Sequence, residues 1–218
     1  MNARGAGLAL IWVLFCSFYS GSPPMGGDDF KPVEDPGSLV TMLNDKALTI
    51  NSIQSRFIQK KQLEFLDETI VSKGRFWFRK ENNLKWAYEE PYEYAIIISE
   101  GKFYTKDGDR VSVYDIESNA AFREINELII GLVKGNILEQ ERFDIKAYED
   151  NDQYLLVLVP REEQMKEVIS AMDIYFQKAD LTVAAITMKE NETDRTEITF
   201  FDKRINEIIP DSVFTTDY

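Results

Sequence analysis

Of the side chains that carry out nucleophilic, acid–base or metal chemistry, this 218-residue chain has no histidine, one cysteine and 38 acidic residues. Serine or cysteine nucleophiles activated by histidine, histidine-based proton transfer and histidine-containing zinc sites are thereby excluded. The chemistry left is that of paired carboxylates, which must be held a few ångströms apart in a cleft. The acidic residues gather instead at predicted turns, at Glu89-Glu90, at Asp107 and Asp109 and at Glu149-Asp150, where solvated charge is the ordinary outcome. No catalytic residue, metal ligand or cofactor is expected, and the chain reads as a binding protein.

Charge and the N-terminus bound the setting. The net charge of −13 comes from 25 basic against 38 acidic residues, interspersed along the chain. Such a surface repels phosphate backbones, so nucleic acid is not an expected partner. Arg4 precedes an apolar run over residues 7–18 (GLALIWVLFCSF), and Ser20, Gly21, Ser22, Pro23 and Pro24 follow it. The run is short for a bilayer span and suits a secretory signal. Residues 1–22 are assigned to that signal, with the cut anywhere in 20–27; an uncleaved anchor is the alternative. Cys16 lies inside the run and leaves a lipidated cysteine open, although Phe15 puts a bulky ring before it where a small residue is usual. After export the mature chain would hold no cysteine, so its stability must come from burial.

The elements that could build a binding surface follow from periodicity. Residues 23–37 read as a flexible lead-in, rich in Gly, Pro and Asp. From Ser38, a possible cap, Leu39, Met42, Leu43, Ala47 and Ile50 recur at helical steps. Period two then takes over, with strands around Phe57 and Gln59, over 74–79 and 84–89, and over 94–99, 102–106 and 110–114. Glu100-Gly101 and Asp107-Gly108-Asp109 supply the positive-φ residues that tight hairpins need. A second amphipathic helix is predicted over 119–135, and strands resume over 143–148, 154–159, 168–176, 183–190 and 196–201, with a brief one at Val213-Phe214. Every link between strands is short, so the pairing is expected to be antiparallel.

Alternation assigns faces. Phe76 and Phe78 share one side of their strand; Leu84, Trp86 and Tyr88 share one side of the next; Tyr94, Ile96 and Ile98 extend the same surface. A sheet of this many twisted strands curls, and its concave side would be lined by these residues. They could simply fill a core beneath the helices, or they could line a cavity. Composition and spacing leave both readings open.

The residues also carry a resemblance. Phe57-Ile58-Gln59-Lys60, the run from Ser72 through Lys80, Leu84-Lys85-Trp86-Ala87-Tyr88 followed by Pro91, the Ile96 to Lys102 strand and turn, Leu158-Val159-Pro160 and Ile209-Pro210-Asp211-Ser212-Val213-Phe214 are similar, in order and spacing over 38–218, to the outer-membrane lipoprotein carrier (LolA) family. The resemblance implies a mainly β (α+β) fold, an incomplete antiparallel β-barrel of about ten to eleven strands with amphipathic helices as its lid. It implies a monomeric periplasmic chaperone that takes acylated lipoproteins from an inner-membrane lipoprotein-releasing ABC transporter towards an outer-membrane acceptor, without a cofactor. An outer-membrane-anchored acceptor or a periplasmic lipid-sensing regulator on the same fold is the alternative. By position, Leu84, Trp86 and Ile96 match the family's cavity-lining residues, and with Phe76, Phe78, Tyr88 and Ile98 of the same face they would contact acyl chains, while Ile125, Leu128, Ile129 and Leu132 would face them from the lid helix. Lys80 falls where the family often places an arginine that latches the lid, and here Lys80-Glu81 replaces the usual basic-Pro pair. A lysine lacks the planar fork of arginine, so a latch at Lys80 would be weaker or differently partnered.

Overall fold

The computed structural model describes residues 30–66, 68–80, 82–115 and 142–216. Their twelve strands form one antiparallel sheet. The elements are β1 (Lys31–Pro32), α1 (Pro36–Leu48), β2 (Ser52–Gln62), β3 (Ile70–Arg79), β4 (Asn83–Glu90), β5 (Tyr94–Ser99), β6 (Lys102–Asp107), β7 (Arg110–Asp115), β8 (Phe143–Glu149), β9 (Gln153–Pro160), the one-turn helix α2 (Glu163–Lys166), β10 (Ala171–Gln177), β11 (Val183–Lys189), β12 (Arg195–Ile205) and a 3-10 turn (Asp211–Phe214). Strand order is β1-β8-β9-β10-β11-β12-β2-β3-β4-β5-β6-β7. Among the described residues the two ends do not pair, so the sheet is an open half-barrel.

Neighbouring strands are consecutive in the chain except at β1–β8 and β12–β2. The predicted turns adopt the expected backbone: Glu100 and Gly101 have φ of 52° and 72°, Gly108 of 55°, and Asn82 of 66° in the β3–β4 turn. Three local expectations are corrected. Helix α1 starts earlier than Ser38, because Pro36, which has no N–H to leave unpaired, opens it and Asp35 caps it; Ser38 donates to Asp35 through its backbone N (3.0 Å) and its hydroxyl (2.8 Å). The strand expected from 168 begins at Ala171, after α2 and a turn that buries Ile169. Val213 and Phe214 form a 3-10 turn, which drops Phe214 onto the outer face. The expected second helix, over 119–135, lies outside the described residues, as do residues 1–29.

Register places one apolar face continuously across the sheet. Ala147, Leu156, Ile174, Ile186, Ile198 and Gln59 stand in one cross-strand row; Phe200, Phe57, Gly74, Tyr88 and Tyr94 stand in another. Helix α1 lies on this inner face over β8–β11, where Leu39, Val40 and Leu43 pack with Phe143, Leu156, Leu158, Met172 and Ile174. The other half, from β12 through β7, holds a separate cluster to which α1 contributes nothing. On the outer face the C-terminal segment is clasped against β3 and β5. Arg79 donates to the Ile209 carbonyl (2.8 Å), pairs with Asp211 (2.6 Å) and lies over the Phe214 ring, while Ile97, Ile209 and Phe214 are buried together.

The inner face depends on Gly74. A Cβ there would stand 2.0 Å from the Ala87 carbonyl oxygen and 2.7 Å from Cζ of Phe57, both far inside contact distance. Gly74→Ala is expected to cost about 3 kcal/mol or more through overpacking beside backbone that cannot yield. Gly108→Ala, with nothing within 4 Å of its Cβ but a φ of 55°, should cost only about 1 kcal/mol. Urea unfolding midpoints of the two variants check the ranking; equal losses would mean that the Phe57 ring moves aside freely.

An aromatic inner face over the middle of the sheet

Three rows build the candidate site. Ile53, Phe78, Leu84, Ile98, Phe103 and Tyr114 stand opposite one another across β2 to β7; Ser55, Phe76, Trp86 and Ile96 form the next row; Phe200, Phe57, Gly74, Tyr88 and Tyr94 form the third. Because Gly74 has no side chain, the Phe57 ring occupies its place and meets Trp86 at 4.6 Å and Tyr88 at 5.3 Å between centroids. Phe76 meets Trp86 edge-on at 5.4 Å, and Phe200 approaches Phe76 and Trp86 at 6.1 and 6.0 Å. Tilted and edge-to-face contacts of this kind are the favourable ones for rings.

The seven residues proposed from sequence, Phe76, Phe78, Leu84, Trp86, Tyr88, Ile96 and Ile98, all fall on this face. Their burial separates them into two kinds. Phe76, Phe78, Leu84, Ile96 and Ile98 are buried, whereas Trp86 and Tyr88 are only partly so, together with Tyr94, Tyr114 and Phe200. The first set forms the floor and the second stands on it. Two members escaped the sequence assignment. Phe57 was legible as an inward residue of a period-two strand, but its place over Gly74 needs the β2–β3 register. Phe200 joins through the β12–β2 pairing, which brings together residues from opposite ends of the chain, Ile198 with Gln59 and Phe200 with Phe57; no local signal marks it. Ile125, Leu128, Ile129 and Leu132 lie outside the described residues.

Polar groups on this face are few. The Tyr88 hydroxyl donates to Gln59 Oε1 at 3.0 Å. The Trp86 indole N–H lies beside the Tyr88 hydroxyl but has no hydrogen-bond acceptor in normal geometry. At the far end of β2, Lys61 is buried and paired with Glu190 at 3.3 Å; desolvation lowers its pKa and Glu190 partly restores it. Lys80 sits off this face. Its ammonium donates to the Leu48 carbonyl (2.7 Å), the last residue of α1, and its backbone N donates to the Asn51 carbonyl, a cation placed at the negative end of a helix. Among the described residues no group of three or more Cys, Asp or Glu is placed to hold a metal ion, and no helix is long and apolar enough to cross a membrane. Glu89 and Glu90 pair with Arg75 and Lys73, and Glu149 with Lys178.

Burial pushes the Tyr88 phenol up to about 12, against the smaller opposing effects of Trp86 and Gln59, and burial likewise takes Tyr175, on the other face of the sheet, to about 12. A phenol with a raised folded pKa stabilises the fold fully below the ordinary value of about 10, and that contribution is lost as pH rises towards about 12. Ultraviolet titration of the folded protein should therefore show at least two late tyrosines, Tyr88 and Tyr175, with Tyr94 also raised by burial. Tyr88→Phe should remove one of them and flatten the fall in stability between pH 10 and 12. An unchanged number of late tyrosines in that variant would show that Tyr88 reaches solvent.

No curated protein matches the chain. Among solved structures, an uncharacterized conserved protein from Thermus thermophilus is similar over 84% of this chain and 96% of that one, with a TM-score of 0.52 and 9% identity. A chain of the Pseudomonas aeruginosa MucA/MucB complex is similar over 82% of this chain but only 60% of that one, with a TM-score of 0.52 and 10% identity. A LolA superfamily protein from Nitrosomonas europaea is similar over 82% of this chain and 98% of that one, with a TM-score of 0.42 and 10% identity. These likenesses concern the fold. The model of the family described as outer membrane lipoprotein carrier protein LolA matches residues 48–217, the span that runs from the end of α1 through every strand of the aromatic face. With an open twelve-stranded half-barrel, one long helix on its inner side and that match over most of its length, the chain belongs to the LolA family.

Proposed function

We propose that this protein is an exported, non-enzymatic periplasmic carrier that holds the acyl chains of lipoproteins against its aromatic inner face and ferries them between membranes. One observation carries the reading: α1 covers the β8–β11 half of a continuous apolar face, while over β12–β7 the rings of Trp86, Tyr88, Tyr94 and Phe200 stand partly uncovered on a fully buried floor. A core with no ligand to receive would be expected to close over such rings. Acyl chains match them physically. A dozen methylenes bring on the order of 10 kcal/mol of transfer free energy, so the chain cannot cross water uncovered. A lining without directional bonds holds it by area and releases it to any acceptor that offers more. Lipoprotein carriage is the family's description, and it supports acylated lipoproteins as cargo, with an inner-membrane releasing transporter and an outer-membrane acceptor as donor and recipient.

The test adds the purified protein to membranes that hold newly made lipoproteins. The parent is expected to bring them into the soluble fraction as a one-to-one complex. Trp86→Glu, which sets an unpaired charge among the rings, should lower the yield at least about tenfold. Lys85→Gln, the neighbouring position on the opposite face, should leave it unchanged. Near-ultraviolet circular dichroism confirms that both variants are folded. If Trp86→Glu carries lipoproteins as well as the parent, the aromatic face is not where they bind.

A further inference from the structure

The sheet has two ends, and they are built differently. At one, β1 is two residues long and one of them is Pro32, a usual means of keeping a free edge from pairing. At the other, β7 runs for six residues without proline or lysine, and Arg110, Val111, Ser112 and Val113 are exposed in succession. The β6–β7 hairpin closes on Asp107 and Arg110 around a two-residue turn. Arg110, Ser112 and Tyr114 therefore exchange hydrogen bonds with β6, while the backbone N–H and C=O groups of Val111 and Val113 point away from it. Among the described residues no strand pairs on that side. On the outer face the same two residues leave β-branched side chains 42% and 54% exposed.

We propose that β7 is a self-association edge, which a second copy of this chain extends by pairing its own β7 antiparallel across a two-fold axis. Charge selects this occupant and this direction. The strand begins on Arg110 and ends on Asp115 with nothing charged between them, so antiparallel pairing with itself brings opposite charges together at both ends, whereas a parallel copy would set like against like. A two-fold axis perpendicular to the sheet keeps the outer face outward in both copies, so residues that share a face meet. With the axis at Ser112, Val111 faces Val113 of the second copy on the outer side, twice, and Arg110 faces the Tyr114 ring on the inner side. Arg110 then stands between Asp109 of its own chain and Asp115 of the second copy. One strand pair and four valines are small against the area that a stable dimer buries, so the association is weak and reversible, and the dilute protein is monomeric.

The experiment is sedimentation velocity of the purified full chain from roughly 10 µM to 1 mM, joined to amide exchange at both concentrations. The parent is expected to pass from monomer to dimer with a Kd on the order of 0.1 mM, and the amides of Val111 and Val113 should exchange severalfold more slowly in the concentrated sample. Val113→Pro removes an N–H that β6 does not use and should weaken the association at least about tenfold. Val113→Lys, a charge on the same edge, should do likewise; it carries the test if near-ultraviolet circular dichroism shows that the proline disturbs the fold. Ile208→Ser, which removes an exposed apolar side chain far from β7 in the chain, should leave the association unchanged. A parent that stays monomeric throughout overturns the inference: slow exchange at the two amides then means that this chain's own residues cover the edge, and fast exchange leaves the edge to an extended segment of a different protein. Dimers that persist in both Val113 variants overturn it as well, by placing the contact elsewhere.

Discussion

The ring of Phe57 lies in the volume that a side chain at position 74 would fill, and the inner face is arranged around that substitution of one residue's ring for another's absent Cβ. The same point carries a bulge: Lys73 opposes Glu90, and Gly74 opposes Tyr88, so Glu89 is the extra residue on β4. Without the bulge, alternation after Leu84, Trp86 and Tyr88 would turn Glu90 inward, beside the rings. With it, Glu90 meets Lys73 at 2.8 Å on the outer side and Glu89 meets Arg75 there as well. One glycine and one inserted residue thus let Trp86 and Tyr88 stack on Phe57 and keep two carboxylates out of an apolar site. Burying either carboxylate unpaired would cost several kcal/mol.

Division of labour across the sheet follows from its width. Helix α1, of thirteen residues, presents three buried side chains, Leu39, Val40 and Leu43, which among the described residues cover the β8–β11 part of the face. Asp35 caps its N-terminus, and its C-terminus is tied to the sheet by Lys80, reaching from the end of β3 to the Leu48 carbonyl. Met188 and Phe200 pack against both clusters, so the covered and the partly uncovered halves share walls. Whatever occupies the aromatic half therefore bears on residues that also support the helix side.

What could be read from the chain was whatever is local. The hairpins from β3 to β7 were legible because their turns carry local signals, Asn82, Glu100-Gly101 and Gly108 with positive φ and Pro91 between β4 and β5, and alternation then placed Phe76, Phe78, Leu84, Trp86, Tyr88, Ile96 and Ile98 on one side without knowledge of the fold. The β12–β2 pairing joins residues far apart in sequence, and nothing in residues 196–201 points to β2 as partner; Phe200 was lost for that reason. The helix start was misplaced because Ser38 and Asp35 are both good caps, and only the proline at 36 distinguishes them. Strand β1 could not be foreseen: two residues, one of them proline, show no period, and they are held by pairing with Tyr148 and Glu149.

Charge is kept to the outer side of the sheet and to the margins of the inner face. The ion pairs Arg56–Asp202, Lys73–Glu90, Arg79–Asp211, Arg161–Asp144 and Lys189–Asp173 lie away from the rings, each with at least one member on an outward-facing strand position, while Lys61 and Glu190 meet at the end of β2, past the rings. Beside the rings the polar groups are an indole N–H, phenols, aliphatic hydroxyls and an amide, none of which titrates near neutral pH. On the proposed reading, affinity for an acyl chain then depends on contact area rather than on ion pairs, and is little affected by modest changes in pH. A carrier built on ion pairs would hold its cargo differently at each membrane surface, where local charge differs. On the proposed reading, neutral rings hand over an acyl chain when an acceptor covers more of it than they do, and no chemical step is needed to let go.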